Sequence, residues 1–281
     1  MGIDFDISEG GTIQIAPIRT PEEFQERLHR VSKVEFRSLC NFVGSVLKEL
    51  RERLAKSSPD TTLIGFVGLP FTLASYLVEG KTGVSDGFPN IRELIKDNPG
   101  VLHDILSLLA DNIVNYACYQ IESGAQVIQV FDSWAGHVCD EDYEVFCEPY
   151  QRRVIQGIKQ QFNDTPIIIY MAPGPYSTGG RRLELLAGTG VDIVSIDHTI
   201  DIASAMNMLA VNHRGVGFQG NLDPQILRDG PLQKIRLETL AILEKMKGRK
   251  RCILNLGHGI LPDTPETHAE CFVQTVQSFK N

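Results

Sequence analysis

"QVIQVFDSW", residues 126–134, decides the fold. It is a short run with β-branched residues that ends in the polar pair Asp132 and Ser133. It lies between two longer stretches of helical period, "PGVLHDILSLLADNIVNYACYQIESG" (99–124) and "YEVFCEPYQRRVIQGIKQQF" (143–162). A strand enclosed by amphipathic helices implies crossover connections, and so parallel pairing under a helical cover. The same reading fits "TLIGFVGLP" (62–70), "PIIIYMAP" (166–173), "VDIVSID" (191–197), "GVGFQGNLDP" (215–224) and "CILNLGHG" (252–259), all Val- and Ile-rich or apolar as strands buried on both faces are.

The C-terminal ends of these runs carry polar residues: Ser133, Asp197, Asn221, Asp223 and His258. A closed βα barrel gathers such residues at that end of its strands, whereas a doubly wound dinucleotide fold announces itself with GxGxxG after an early strand, a pattern missing here. The barrel is therefore the expected architecture, with about six of its eight strands evident. The segment "MGIDFDISEGGTIQIAPIRTPEEFQERL" (1–28) supplies no further βα pair. It reads as an extended excursion and then a helix start, where Thr20 caps and Pro21 opens the first turn. The expected fold class is thus α/β of the (β/α)8 TIM-barrel type, incomplete at the N-terminus, in one domain over residues 1–281.

Composition narrows the function classes. At 42% hydrophobic and 22% charged, the 281 residues suit a globular enzyme-sized domain. No apolar run approaches the ~20 residues of a membrane helix. The acidic start "MGIDFDISEGG" resembles neither a secretory nor a transit peptide, and Asp6 stands where a myristoylated Gly2 would need Ser or Thr. A net charge of −8 argues against nucleic acid and anionic membrane surfaces as partners. The six cysteines lack CxxC spacing, which suits reduced thiols in a cytosol-like compartment.

Four segments, "GFVGLPFTLASYLVEG" (65–80), "VFDSWAG" (130–136), "QGNLDP" (219–224) and "NLGHGILPDTP" (255–265), resemble uroporphyrinogen decarboxylase in order, spacing and flanking residues across nearly the whole chain. The resemblance implies a distorted (β/α)8 barrel, usually a homodimer. Such an enzyme removes CO2 from the four acetate side chains of uroporphyrinogen III to give coproporphyrinogen III in haem and chlorophyll biosynthesis, without metal or organic cofactor. It implies a cytoplasmic enzyme, or a plastid one where a transit segment precedes it. Members begin upstream of this Met1 and carry there an "RQAGR"-type loop, whose arginines hold substrate carboxylates, and an aspartate beneath the macrocycle. Neither feature occurs in these residues. The expectation is therefore a family decarboxylase that is impaired as this chain alone, the alternative being a non-catalytic pseudoenzyme or assembly partner.

By the same resemblance, Tyr76, Ser133 and His258 are the catalytic and substrate-binding candidates. The Tyr76 hydroxyl would donate to a carboxylate while its ring lies against the macrocycle. Ser133 would bind substrate; there is no GxSxG elbow to make it a nucleophile. His258, between two glycines that let a bulky ligand approach, would bind a carboxylate and relay a proton. Read without the motifs, the three are a core tyrosine, a turn serine and a loop histidine. Arg181 and Arg182, in "GPYSTGGRR" (174–182), are weaker anion-binding candidates against a solvated helix start. His198 stands where the family usually has Trp, a change at a pocket rim. A zinc-dependent methyltransferase of the same superfamily is a rival, since "HVC" (His137, Cys139) imitates part of its ligand set. Cys252, however, begins its strand and so misplaces the third ligand.

Overall fold

The computed structural model describes residues 3–8, 11–31, 36–82, 87–176 and 180–279; Gly2 and residues 177–179 of the "GPYSTGGRR" loop lie outside the described residues. The chain is α/β and carries a parallel sheet of six strands. It divides into two compact units, residues 1–167 with 174–177, and residues 168–173 with 178–281.

The first unit opens with an antiparallel pair, β1 (Asp6–Ile7) and β2 (Ile13–Gln14), followed by α1 (Pro21–Val31), α2 (Phe36–Leu39) and α3 (Asn41–Ser57). The α1 start is a capping box. The Glu23 N–H donates to Thr20 Oγ1 at 3.2 Å, and the Thr20 N–H donates back to Glu23 Oε2 at 3.1 Å. Next come β3 (Ile64–Gly68), α4 (Pro70–Glu79), α5 (Pro89–Asp97), α6 (Pro99–Glu122), β4 (Val127–Asp132), α7 (Asp140–Phe146) and α8 (Glu148–Gln161). β3 and β4 pair in parallel, Ile64 opposite Val127. Pro70 opens α4, where its missing N–H costs nothing, and Gly80 closes it at φ 78°. Phe71, Ala74, Leu77 and Val78 of α4 are buried, and each large apolar side chain among them contributes about 1.5–3 kcal/mol.

Strand β3 leaves Phe66 67% exposed. The backbone there is nevertheless closed to another strand: buried Gln120 of α6 accepts from the Phe66 N–H at 3.0 Å and donates to its carbonyl at 2.9 Å. One side-chain amide thus takes the place of a neighbouring peptide group and blunts the edge.

The second unit begins within β5 (Ile167–Met171) and continues through α9 (Gly180–Gly188), β6 (Ile193–Ser195), α10 (Ile202–Asn212), β7 (Gly217–Leu222), α11 (Pro224–Asp229), α12 (Leu232–Met246), β8 (Cys252–Leu256) and α13 (Glu266–Ser278). Its strands pair in parallel and in chain order, with Ile168 opposite Ile193, Ile193 opposite Gly217, and Phe218 opposite Cys252. Every residue of β5, β6 and β7 is buried, as expected of a parallel sheet covered on both faces. The six parallel strands fall on the six runs read from sequence.

Candidate functional site

In the first unit the site is built on the end of β4. Asp132, fully buried, accepts at Oδ1 from the Thr72 N–H (3.2 Å) and from Thr72 Oγ1–H (2.8 Å), and at Oδ2 from Gln151 Nε2 (2.8 Å). Gln151 is held in turn by the Tyr143 hydroxyl, which donates to its Oε1 at 2.8 Å. Burial pushes the Asp132 carboxyl up to about 6, partly offset by the donors from Gln151 and Thr72. Thr72 Oγ1 also accepts from the Trp134 N–H at 3.3 Å, so one network fixes the backbone on both sides of Ser133.

Tyr76 sits one helical turn beyond Thr72 on α4, its ring 6.4 Å from that of Trp134 and edge-on to it. Trp134 also meets Phe88 at 4.6 Å and His137 at 5.5 Å, an aromatic cluster that holds the turn after β4. Among the described residues, the hydroxyls of Tyr76 and Ser133 have no hydrogen-bond partner, and neither do two buried atoms beside them, Trp134 Nε1 and His137 Nδ1. Burial, with Arg92 as a lesser cause, lowers the His137 pKa and favours neutral imidazole. Donors that are fixed by their surroundings yet unengaged are what a ligand site offers.

In the second unit, the strand ends carry a different arrangement. Asp197 accepts from the Thr199 N–H at 2.7 Å and from its hydroxyl. Asn221 of β7 donates to the carbonyls of Asp197 (2.9 Å) and Ile200 (2.7 Å). Asp223 caps α11 by accepting from the Gln225 N–H at 2.8 Å. These three strand-end residues are therefore braces of the loops. His258, two residues past β8, is exposed, and its ring lies edge-on to Tyr170 at 6.3 Å. The Tyr170 hydroxyl donates to the Gly257 carbonyl at 3.4 Å. Burial raises the Tyr170 pKa, with Asp197 adding to it, so the phenol stays protonated as a donor. The imidazole of His258 has no hydrogen-bond partner among the described residues.

Tyr76 and Ser133 thus come together on the first unit, and His258 stands on the second. The sequence reading missed Tyr170, which "PIIIYMAP" presented only as part of a buried strand, and the bracing role of Asp132, Thr72 and Gln151. At the start of α9, Arg181 is exposed and Arg182 is 1% exposed. Among the described residues, no group of three His, Cys, Asp or Glu side chains is placed to hold a metal ion. His137 is packed in the aromatic cluster, and Cys252 does begin β8.

The family model described as "Uroporphyrinogen decarboxylase (URO-D)" matches residues 1–279. The uroporphyrinogen decarboxylase of Prochlorococcus marinus (strain MIT 9211) is 45% identical over 279 residues, covering 99% of this chain and 74% of that protein. That of Nostoc punctiforme (strain ATCC 29133 / PCC 73102) is 43% identical over 278 residues, covering 99% and 73%. Among solved structures, a methyltransferase from Methanosarcina mazei superposes with a TM-score of 0.71 at 20% identity, covering 99% of this chain and 76% of that one. At that identity the likeness speaks for the fold alone, and with the family match it makes the fold class α/β of the TIM-barrel type.

Proposed function

Since the chain belongs to the uroporphyrinogen decarboxylase family, we propose that it converts uroporphyrinogen III to coproporphyrinogen III, with Tyr76, Ser133 and His258 as the side chains that hold the substrate. The observation that carries this reading is the uninterrupted family match over residues 1–279, which also supports one barrel-type domain. The three candidate side chains agree with it, since each keeps its polar atoms unengaged among the described residues.

The chemistry asks little covalent work of the protein. Each acetate loses CO2 when the electron pair of its breaking C–C bond enters a protonated pyrrole, and the methylene carbon left behind then takes a proton to become methyl. The protein must orient carboxylates and keep the ring cationic long enough to react. Tyr76 Oη and Ser133 Oγ are donors suited to a carboxylate, and the aromatic rings of Tyr76 and Trp134 suit the pyrrole rings of a macrocycle. The exposed imidazole of His258 can grip a carboxylate and pass a proton.

Among the described residues no helix is long and apolar enough to cross a membrane. A cytosolic setting is supported by six cysteines that form no disulfide. The negative net charge supports a partner list without nucleic acid. Self-association as a homodimer is supported by Phe42, Val46 and Leu50, exposed along one face of α3. The test of function is anaerobic incubation of the purified chain with uroporphyrinogen III, with products separated by carboxyl number. Stepwise loss of four carboxyls is the expected outcome. Substrate left unchanged by protein shown to be folded would overturn the reading.

A further inference from the structure

The strands that carry Asn221 and His258 at their C-terminal ends have a concave basic surface at their other end. The loop before β7 and the loop before β8 together border an open cleft of about 380 Å³ lined by Arg214, Arg249, Lys250 and Arg251, together with Val216 and Phe218. No carboxylate lines it, although the chain as a whole has a net charge of −8. We propose that this pocket binds a compact phosphate-class anion bearing two or more charges, at a site separate from the one that holds the porphyrinogen.

Solvated lysines and arginines on loops are common, so the distinction from an ordinary surface must come from detail. Elsewhere on the same unit several exposed cations are paired, Arg228 with Asp229 at 2.7 Å, Lys245 with Asp201 at 2.6 Å and Lys247 with Glu244 at 3.8 Å, while Lys234 and Arg236 stand unpaired among the described residues on α12, away from any such cluster. The four in the cavity make no ion pair among the described residues. Two are held in place by neutral acceptors. Arg249 donates to Asn207 Oδ1 at 3.2 Å, and Arg251 donates through Nη1 to the Gly215 carbonyl at 2.8 Å, tying the two loops together.

Arg251 has φ 60°, a left-handed conformation that a side chain with a Cβ seldom adopts, while its carbonyl accepts the Phe218 N–H at 2.9 Å as β7 and β8 begin to pair. Backbone held in that region collects at ligand clamps. Like charges brought together without a counter-charge repel, and a multiply charged anion relieves that repulsion. A single carboxylate carries too little charge to neutralise four cations, whereas pyrophosphate or a nucleotide's phosphates would serve, through the forked donors of arginine and the point charge of lysine.

Calorimetric titration of the full chain with sodium pyrophosphate tests the proposal. The expected result is one saturable site per chain, with affinity falling as salt is raised. The double variant R214E/K250E, which touches neither pinned arginine, should weaken binding about tenfold or more with an unchanged melting temperature and unchanged decarboxylation. The control K234E/R236E, equal in charge change but on α12 of the same unit and outside the pocket lining, should bind as the parent does. ATP binding more tightly than tripolyphosphate would assign the site to a nucleotide, and equal affinities to the free anion. No saturable binding to the parent, or equal loss in the control, would overturn the pocket.

Discussion

Gly257 lies so close to His198 that a Cβ on it would stand 2.2 Å from the His198 backbone nitrogen and 2.6 Å from its Cα. These are main-chain atoms, which cannot swing aside. The loop after β6 and the loop after β8 are therefore locked through a glycine that no other residue replaces without moving one of them. Gly257→Ala should lower stability by about 1–3 kcal/mol through overpacking, and reduce turnover by displacing the neighbouring His258. Thermal melts and steady-state decarboxylation check this; a variant with parental melting temperature and rate refutes the lock.

Asp132 makes a prediction about pH. Its native carboxyl titrates near 6, against ~3.9 in an unfolded chain, so the native state keeps a proton over the interval in which the unfolded state has lost it. The associated stability is complete below about pH 4 and is lost as pH rises through about 6, a swing on the order of 3 kcal/mol. Asp132→Asn should flatten that dependence, since its Oδ1 still serves Thr72 and the Gln151 amide can turn over. Asp132→Leu strands the Thr72 N–H and Gln151 Nε2, each at a cost of about 1–3 kcal/mol. Urea unfolding from pH 4 to 7 distinguishes them, and parallel curves for parent and Asp132→Asn would contradict the assignment.

The elements that sequence made legible were those whose signal is local. "PIIIYMAP" and "CILNLGHG" became β5 and β8 because buried parallel strands need continuous apolar residues. The cap at Thr20 was legible because its signal lies within one turn, and the structure adds the return bond from Glu23. What stayed hidden depends on partners distant along the chain. Gln120 looks like any polar helical residue until Phe66, 54 residues away, is beside it. Asp132 was legible as part of "VFDSWAG", but not as the acceptor for Thr72, 60 residues earlier. The burial of Arg182 was not legible because the polar character of its neighbours says nothing of what α9 covers. Tyr76, Ser133 and His258 came from motif resemblance, and their unengaged polar atoms are what the structure adds.

Self-association has a specific test on α3. Phe42 (64% exposed), Val46 (53%) and Leu50 (41%) recur every four residues, one side of a helix. Phe42→Glu with Val46→Glu should convert a dimer to a monomer in sedimentation velocity at micromolar concentration, with helix content unchanged. A parent chain already monomeric at that concentration, or a variant that still dimerises, removes this face as the interface.

Tyr76 and His258 separate binding from scaffolding. Tyr76→Phe keeps the ring against Trp134 and deletes only a hydroxyl with no partner among the described residues, so the melting temperature should hold. His258 is exposed, so His258→Asn should be equally neutral for stability. If each side chain grips a carboxylate, losing a hydrogen bond to a charged group costs about 1.5–3 kcal/mol, or roughly 10–100-fold in kcat/KM. Both losses should appear in kcat/KM while the melting temperature holds. Rates matching the parent for both would leave Tyr76 a wall residue and His258 a loop histidine, the readings that their unengaged atoms argue against.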